Sequence, residues 1–248
     1  MRYPITPVIA IIALSAVSLR AAEPALDVPA TGTGLDFVNP IVLASKKTTD
    51  RCRNLTAAQR VRTHLFVVNG LDPFYLANLN GFCHHVRGLG FQNVWFSELI
   101  DSEDIEKKIV AVREKDPSAK VILLGYSFGA NEARSICNSL NEKSLCVDLL
   151  VYIGGDHIMD EPKSRPKNAG KILNITGHGC FLLAGNLFIN GDDIAGARNL
   201  RLKERHFSLP SRSETMEAFL SELYEVARAA ERKPAAVLGE PVPIRDPR

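Results

Sequence analysis

Short apolar runs alternate along this chain with longer stretches that are apolar on one face only. Leu65-Phe66-Val67-Val68, ended by Asn69-Gly70, predicts a buried strand. Val121 to Leu124, Val147 to Ile153 and Ile172 to Ile175 repeat the pattern, and Asn93 to Phe96 and Asn199 to Leu202 are weaker versions of it. A run that is apolar at every position fits a strand covered on both sides, because successive side chains point to opposite faces. Between the strands, a helix is expected over Phe74 to Leu89. Asp101 and Ser102 can cap another, whose Ile105, Ile109 and Val112 share one face and which stops at Asp116-Pro117. Ala130, Ala133, Cys137 and Leu140 mark a third. Ser211 and Glu214 read as a capping box that opens the last, with Met216, Phe219, Leu220, Leu223 and Ala227 on its apolar face.

Parallel neighbours need a crossover, so this alternation predicts an α/β fold: a mostly parallel central sheet with helices on both faces, in a single domain. Ligands bind such sheets at the carboxyl ends of the strands. That rule points to Asn69-Gly70, Gly125 onwards, Gly154 to His157 and Gly177 onwards.

The ends differ from this pattern. Met1-Arg2, the apolar run Pro7 to Val17 and the small residues Ser18, Ala21 and Ala22 read as an export signal over residues 1–22. The run is shorter than the roughly 18 to 20 residues that span a bilayer, so removal is expected rather than anchoring. Residues 23–60, with Thr31 to Gly34 reading Thr-Gly-Thr-Gly, are expected to be an irregular lead-in holding at most one edge strand. The α/β domain is expected over 61–232, and the proline-rich, charged tail 233–248 is expected to be disordered.

Composition adds exclusions. With 248 residues, 46% apolar and 23% charged, the chain is an ordinary globular protein. A formal net charge of +2 without a dense basic block gives no footprint for nucleic acid. The cysteines Cys52, Cys83, Cys137, Cys146 and Cys180 form no C-x-x-C pair, so a metal site has no support. In an exported protein some should be oxidised, and Cys137 with Cys146 is the candidate disulfide.

The chemistry concentrates at Gly125-Tyr126-Ser127-Phe128-Gly129, which follows a predicted strand and opens a predicted helix. A serine at such a corner projects its hydroxyl outward, and the flanking glycines allow the close packing the turn needs. The helix start supplies free N–H groups and a positive dipole end for an oxyanion. Ser127 needs a base. Among the six histidines, His206 lies between the last predicted strand and the last helix, and His178 at a strand's carboxyl end is the reserve. His64, His84 and His85 are read as packing or surface residues. An orienting carboxylate is open between Asp193, Asp156 and Asp192, ranked in that order. The oxyanion donors are the N–H groups of Phe128 and Leu71.

The strand with Asn69-Gly70-Leu71, the Ser127 elbow and His206 before the last helix together resemble the α/β-hydrolase superfamily of esterases, lipases and thioesterases. The resemblance runs from about Leu65 to Ala230. It implies a Ser-Asp-His triad, an acyl-enzyme and no cofactor. The chain departs from the family in carrying Asn69-Gly70 where His-Gly is usual, and in lacking an acid just after Ile175. The apolar stretch within Gly177 to Ala197 is a candidate roof for the pocket.

The leading expectation is thus an exported serine hydrolase of a carboxylic ester or thioester, acting on a small molecule or polymer end. Its rivals are an acyltransferase or peptidase of envelope components, and a non-catalytic accessory or binding protein on a hydrolase scaffold. The oligomeric state is left open.

Overall fold

A computed structural model describes residues 39–72, 74–155, 165–178 and 193–231. Six strands form one sheet: β1 (Thr63–Val68), β2 (Val94–Ser97), β3 (Lys120–Tyr126), β4 (Val147–Ile153), β5 (Ala169–His178) and β6 (Arg198–Arg205). Their order is β2-β1-β3-β4-β5-β6, with every pair parallel. The helices are α1 (Lys46–Arg53), α2 (Ala57–Val61), α3 (Leu79–Gly88), α4 (Glu103–Lys115), α5 (Phe128–Glu142) and α6 (Ser213–Arg228).

Strand alternation sorts the core into two layers. Leu65, Val67, Ile122, Leu124, Leu149, Val151 and Leu173 face one side, where Phe82 and Val86 of α3 and Phe219, Leu220 and Leu223 of α6 meet them. Phe66, Val121, Leu123, Leu150 and Ile172 face the other, against Ile105 and Ile109 of α4 and Ala133, Ile136 and Leu140 of α5. Each fully buried Leu, Ile or Phe contributes about 1.5–3 kcal/mol, so the two-sided strands hold the sheet in its place between the helix layers. This is the α/β architecture expected from the sequence, a parallel sheet with helices on both faces.

Several elements differ from the expectations, each for a local reason. The lead-in is not irregular throughout. Ser45 caps α1 by accepting from Thr48 N–H, and a capping box of Thr56 and Gln59 opens α2. Glu217 of α6 accepts from Ser45 N–H at 2.8 Å and from the Thr48 hydroxyl, which docks α1 on the last helix.

The helix expected over Phe74 to Leu89 begins only at Leu79. Asp72 captures the N–H groups of Leu76 and Ala77 at 2.9 and 2.8 Å, and Tyr75 and Asn78 take φ of 55° and 53°, which a right-handed helix cannot contain. The Ser211–Glu214 capping box is not formed. Ser211 donates to Ser208 O at 3.0 Å inside a 3-10 turn, His206–Ser211, and α6 starts after it at Ser213.

β6 is longer than expected, because β5 supplies its ladder while its exposed edge carries Arg198, Arg201, Lys203 and Arg205. Charged side chains on an edge strand also discourage pairing with another chain. Cys137 and Cys146 are both free thiols, contrary to the disulfide expected. Cys137 Sγ donates instead to Asn168 Oδ1 at 3.3 Å, and Asn168 Nδ2 ties Cys137 O to Leu145 O.

Candidate active site

β3 runs directly into α5 through Ser127, whose φ of 54° and ψ of −126° lie in a region L-residues rarely occupy. The strain is held from both sides. Ser127 N–H donates to Ile153 O at 2.9 Å, and its carbonyl accepts from Ala130 N–H at 2.9 Å. Glycine is required around it by contact. A Cβ on Gly125 would collide with Gly129 O, and one on Gly129 with the Val68 and Asn69 carbonyls. One on Gly70 would lie 2.6 Å from Ser127 Cβ and 3.1 Å from Phe128 N. The end of β1 therefore packs directly on the corner, as the G-x-S-x-G pattern requires. Ser127 is 3% exposed.

The sheet's ladder continues past the strand ends and fixes the loops around this corner. Asn69 N–H donates to Ser97 O, and Gly154 N–H to Ile175 O, both at 2.8 Å. Asn69 is buried. Its Nδ2 donates to Glu98 at 3.0 Å and its Oδ1 accepts from Gly70 N–H at 2.9 Å. Phe128 is the first residue of α5, so its N–H has no carbonyl one turn earlier to bond within the helix. Leu71 N–H has no acceptor among the described residues. Both proposed oxyanion donors thus flank the Gly70–Ser127 contact, with the positive end of a 15-residue helix beneath them.

His206 starts the 3-10 turn that follows β6 and is 2% exposed. Its ring stacks on Tyr126, the residue before Ser127, at a centroid separation of 5.0 Å, and the Tyr126 hydroxyl donates to His206 O at 3.3 Å. The other face of the environment is Gly154, at φ 60°, where a Cβ would lie 2.8 Å from His206 Nδ1. Tyr126 pairs with Ile153 in the sheet, so the imidazole sits over the adjoining ends of β3 and β4, beside the serine corner. Burial alone pushes its pKa down to about 4, leaving a neutral imidazole, the form a general base requires. Nδ1 has no hydrogen-bond partner among the described residues.

Of the three carboxylates, Asp193 has a side chain 66% exposed that pairs with Arg201 at 3.5 Å and makes no hydrogen bond to His206. Asp156 and Asp192 lie outside the described residues, as does most of the candidate roof, 179–192. His178 ends β5 opposite Arg205. His64 stacks on Trp95 far down β1, at 5.3 Å between centroids, in line with a packing role. Tyr126 and Gly154 build the imidazole's seat; both fall in stretches that the sequence points to, Gly125 onwards and Gly154 to His157, without a role of their own there. An aromatic inside the elbow and a glycine directly after a strand were the available signals. Phe74, after β1, and Ile100, after β2, are large apolar side chains 76% and 87% exposed. No group of three or more metal-binding side chains occurs among the described residues, and no described helix is long and apolar enough to cross a membrane.

No protein-family model matches the chain, and no curated protein matches it. Solved structures similar to it include hydrolases, among them one of the alpha/beta superfamily. One is such a protein from Xanthomonas campestris, 13% identical, covering 67% of this chain and 98% of that one with a TM-score of 0.43. A hydrolase from Pectobacterium atrosepticum is 14% identical, covers 75% and 99%, and also has a TM-score of 0.43. Lipase B of Aspergillus fumigatus is 12% identical, covers 87% and 74%, and has a TM-score of 0.42. At these values the likeness carries nothing about individual residues.

Proposed function

We propose that this chain is an exported serine hydrolase that cleaves a carboxylic ester or thioester through an acyl-enzyme on Ser127. The observation that carries the reading is the seat of His206. A buried, neutral imidazole stacks on the residue that precedes a strained serine, beside two backbone N–H groups free to receive an oxyanion.

In this reading, His206 takes the Ser127 proton as Oγ attacks the substrate carbonyl. The oxyanion is received by the N–H groups of Phe128 and Leu71, and the imidazolium then protonates the leaving alcohol or thiol. Water, deprotonated by the same imidazole, releases the acid. A buried imidazole with an unpaired Nδ1 calls for a carboxylate when it becomes charged. We assign that part to Asp156, two residues and so about 7 Å of chain beyond Gly154, where an added Cβ would meet Nδ1.

A fluorophosphonate probe tests the reading. It should label the wild type and leave Ser127→Ala and His206→Ala unlabelled, and short-chain p-nitrophenyl esters should be turned over by the wild type alone. Equal labelling of wild type and Ser127→Ala would end it. Export is checked separately, by fractionation and by the mass of the mature N-terminus.

A further inference from the structure

The loop after β1 and the turn after β6 must both reach one reacting carbon, yet their strands lie at distant places in the sheet. β3, β4 and β5 stand between β1 and β6, about 19 Å at the usual spacing of neighbouring strands. No strand ladder can set the position of one loop against the other. A side chain from neither loop does so. Asn39 Nδ2 donates to Leu76 O at 2.7 Å and to Phe207 O at 3.0 Å, which uses both of its hydrogens.

Both ends of this bridge connect tightly to the site. Asn39 N–H also donates to Leu76 O, at 3.3 Å, and Asn39 O accepts from Asn78 Nδ2 at 2.9 Å. Leu76 N–H is held by Asp72 Oδ1, and Asp72 N–H in turn donates to Gly70 O at 3.1 Å, so the path ends on the two residues that flank Leu71. Phe207 follows His206, whose own carbonyl accepts from the Tyr126 hydroxyl. The amide of one half-buried asparagine therefore spans from the oxyanion loop to the histidine turn.

We propose that Asn39 is a positioning residue, bracing the loop that carries Leu71 against the turn that carries His206. The proposal rests on the serine-hydrolase reading above. It makes Asn39 touch neither substrate nor the reacting atoms; it sets the distance between two groups that do. An error of about 1 Å in such a distance can cost about 100-fold in rate, whereas binding of the acyl group is little affected.

Ester kinetics, fluorophosphonate labelling and thermal melting are to be measured on wild type, Asn39→Ala and the isosteric Asn39→Asp. Asn39→Ala should lower kcat about tenfold or more with KM unchanged and remain folded at the assay temperature. Asn39→Asp, which puts a carboxylate oxygen in place of Nδ2 against both carbonyls, should lower kcat further. Hydrogen exchange of Leu76, Ala77 and residues 206–211 should quicken in Asn39→Ala while that of β3 and β4 stays as in the wild type. A labelled, active wild type with Asn39→Ala at full kcat overturns the positioning role alone. A wild type that is neither labelled nor active overturns the hydrolase reading and the positioning role with it. A fall in melting temperature with kcat intact would mark Asn39 as merely structural and also overturn the proposal.

Discussion

The imidazole of His206 lies on the ring of Tyr126, 5.0 Å between centroids and inclined by 27°. Residues eighty positions apart in the chain are thereby joined beside the corner where Ser127 holds its backbone at φ 54°. Tyr126 cannot move without Ser127, so the stack ties the proposed base and the proposed nucleophile to one strand end.

Gly154→Ala should separate the two. The new Cβ would fall 2.8 Å from Nδ1 and 2.9 Å from Cε1 of His206, and an alanine at φ 60° costs about 1–2 kcal/mol of backbone strain. We expect a fall in kcat of at least tenfold and a lower midpoint in urea. Unchanged ester kinetics would show that the imidazole does not depend on this contact.

Ser127→Gly should abolish turnover and yet stabilise the fold. Glycine tolerates the φ of 54° and ψ of −126° that serine holds at a cost of about 1 kcal/mol or more. Urea denaturation should show a gain of about 1 kcal/mol over Ser127→Ala, which keeps the Cβ. A less stable glycine variant would mean that the corner stores no strain.

His206 makes stability depend on pH in a defined window. Its folded pKa of about 4 lies below the unfolded value of 6.5, because burial disfavours the charged ring. The unfolded chain therefore binds more protons between the two values, and stability falls as pH drops from about 6.5 to 4. The full effect is about 3 kcal/mol, and it is absent above pH 7. His64 and His85, also shifted down by burial, act in the same direction. Denaturation of wild type and His206→Gln at pH 7.5 and 4.5 isolates the share of residue 206: the wild type should lose more. Equal losses would place the ring in water.

The two aspartates should behave differently. Asp156→Asn should lower kcat about 100-fold or more, as expected when the tautomer-fixing carboxylate of an imidazole is neutralised. Asp193→Asn should stay within about twofold, since its carboxylate already faces Arg201 at the surface and exposed ion pairs contribute little. The reverse order would return the orienting role to Asp193.

The sequence by itself determined the layers, the sheet and the elbow. Leu65 to Val68, Val121 to Leu124 and Leu149 to Ile153 are apolar at every position, as fits strands covered on both faces, and G-Y-S-F-G directly after one of them marks the strand-to-helix corner. Local competition hid the rest of the secondary structure. Asp72 held the chain in turns up to Asn78 where periodicity promised a helix, and Ser45 and Thr56 capped helices in a stretch without an apolar period. Only the tertiary structure decided that His206 sits on Tyr126 and Gly154, that Asp193 faces Arg201, and that Asn39 spans from Leu76 to Phe207. The physical reason is reach: the contacts of His206 and Asn39 join strand ends and loops far apart in the chain. Hydrophobic periodicity carries information about which face of an element is buried and none about which distant loop will close over it.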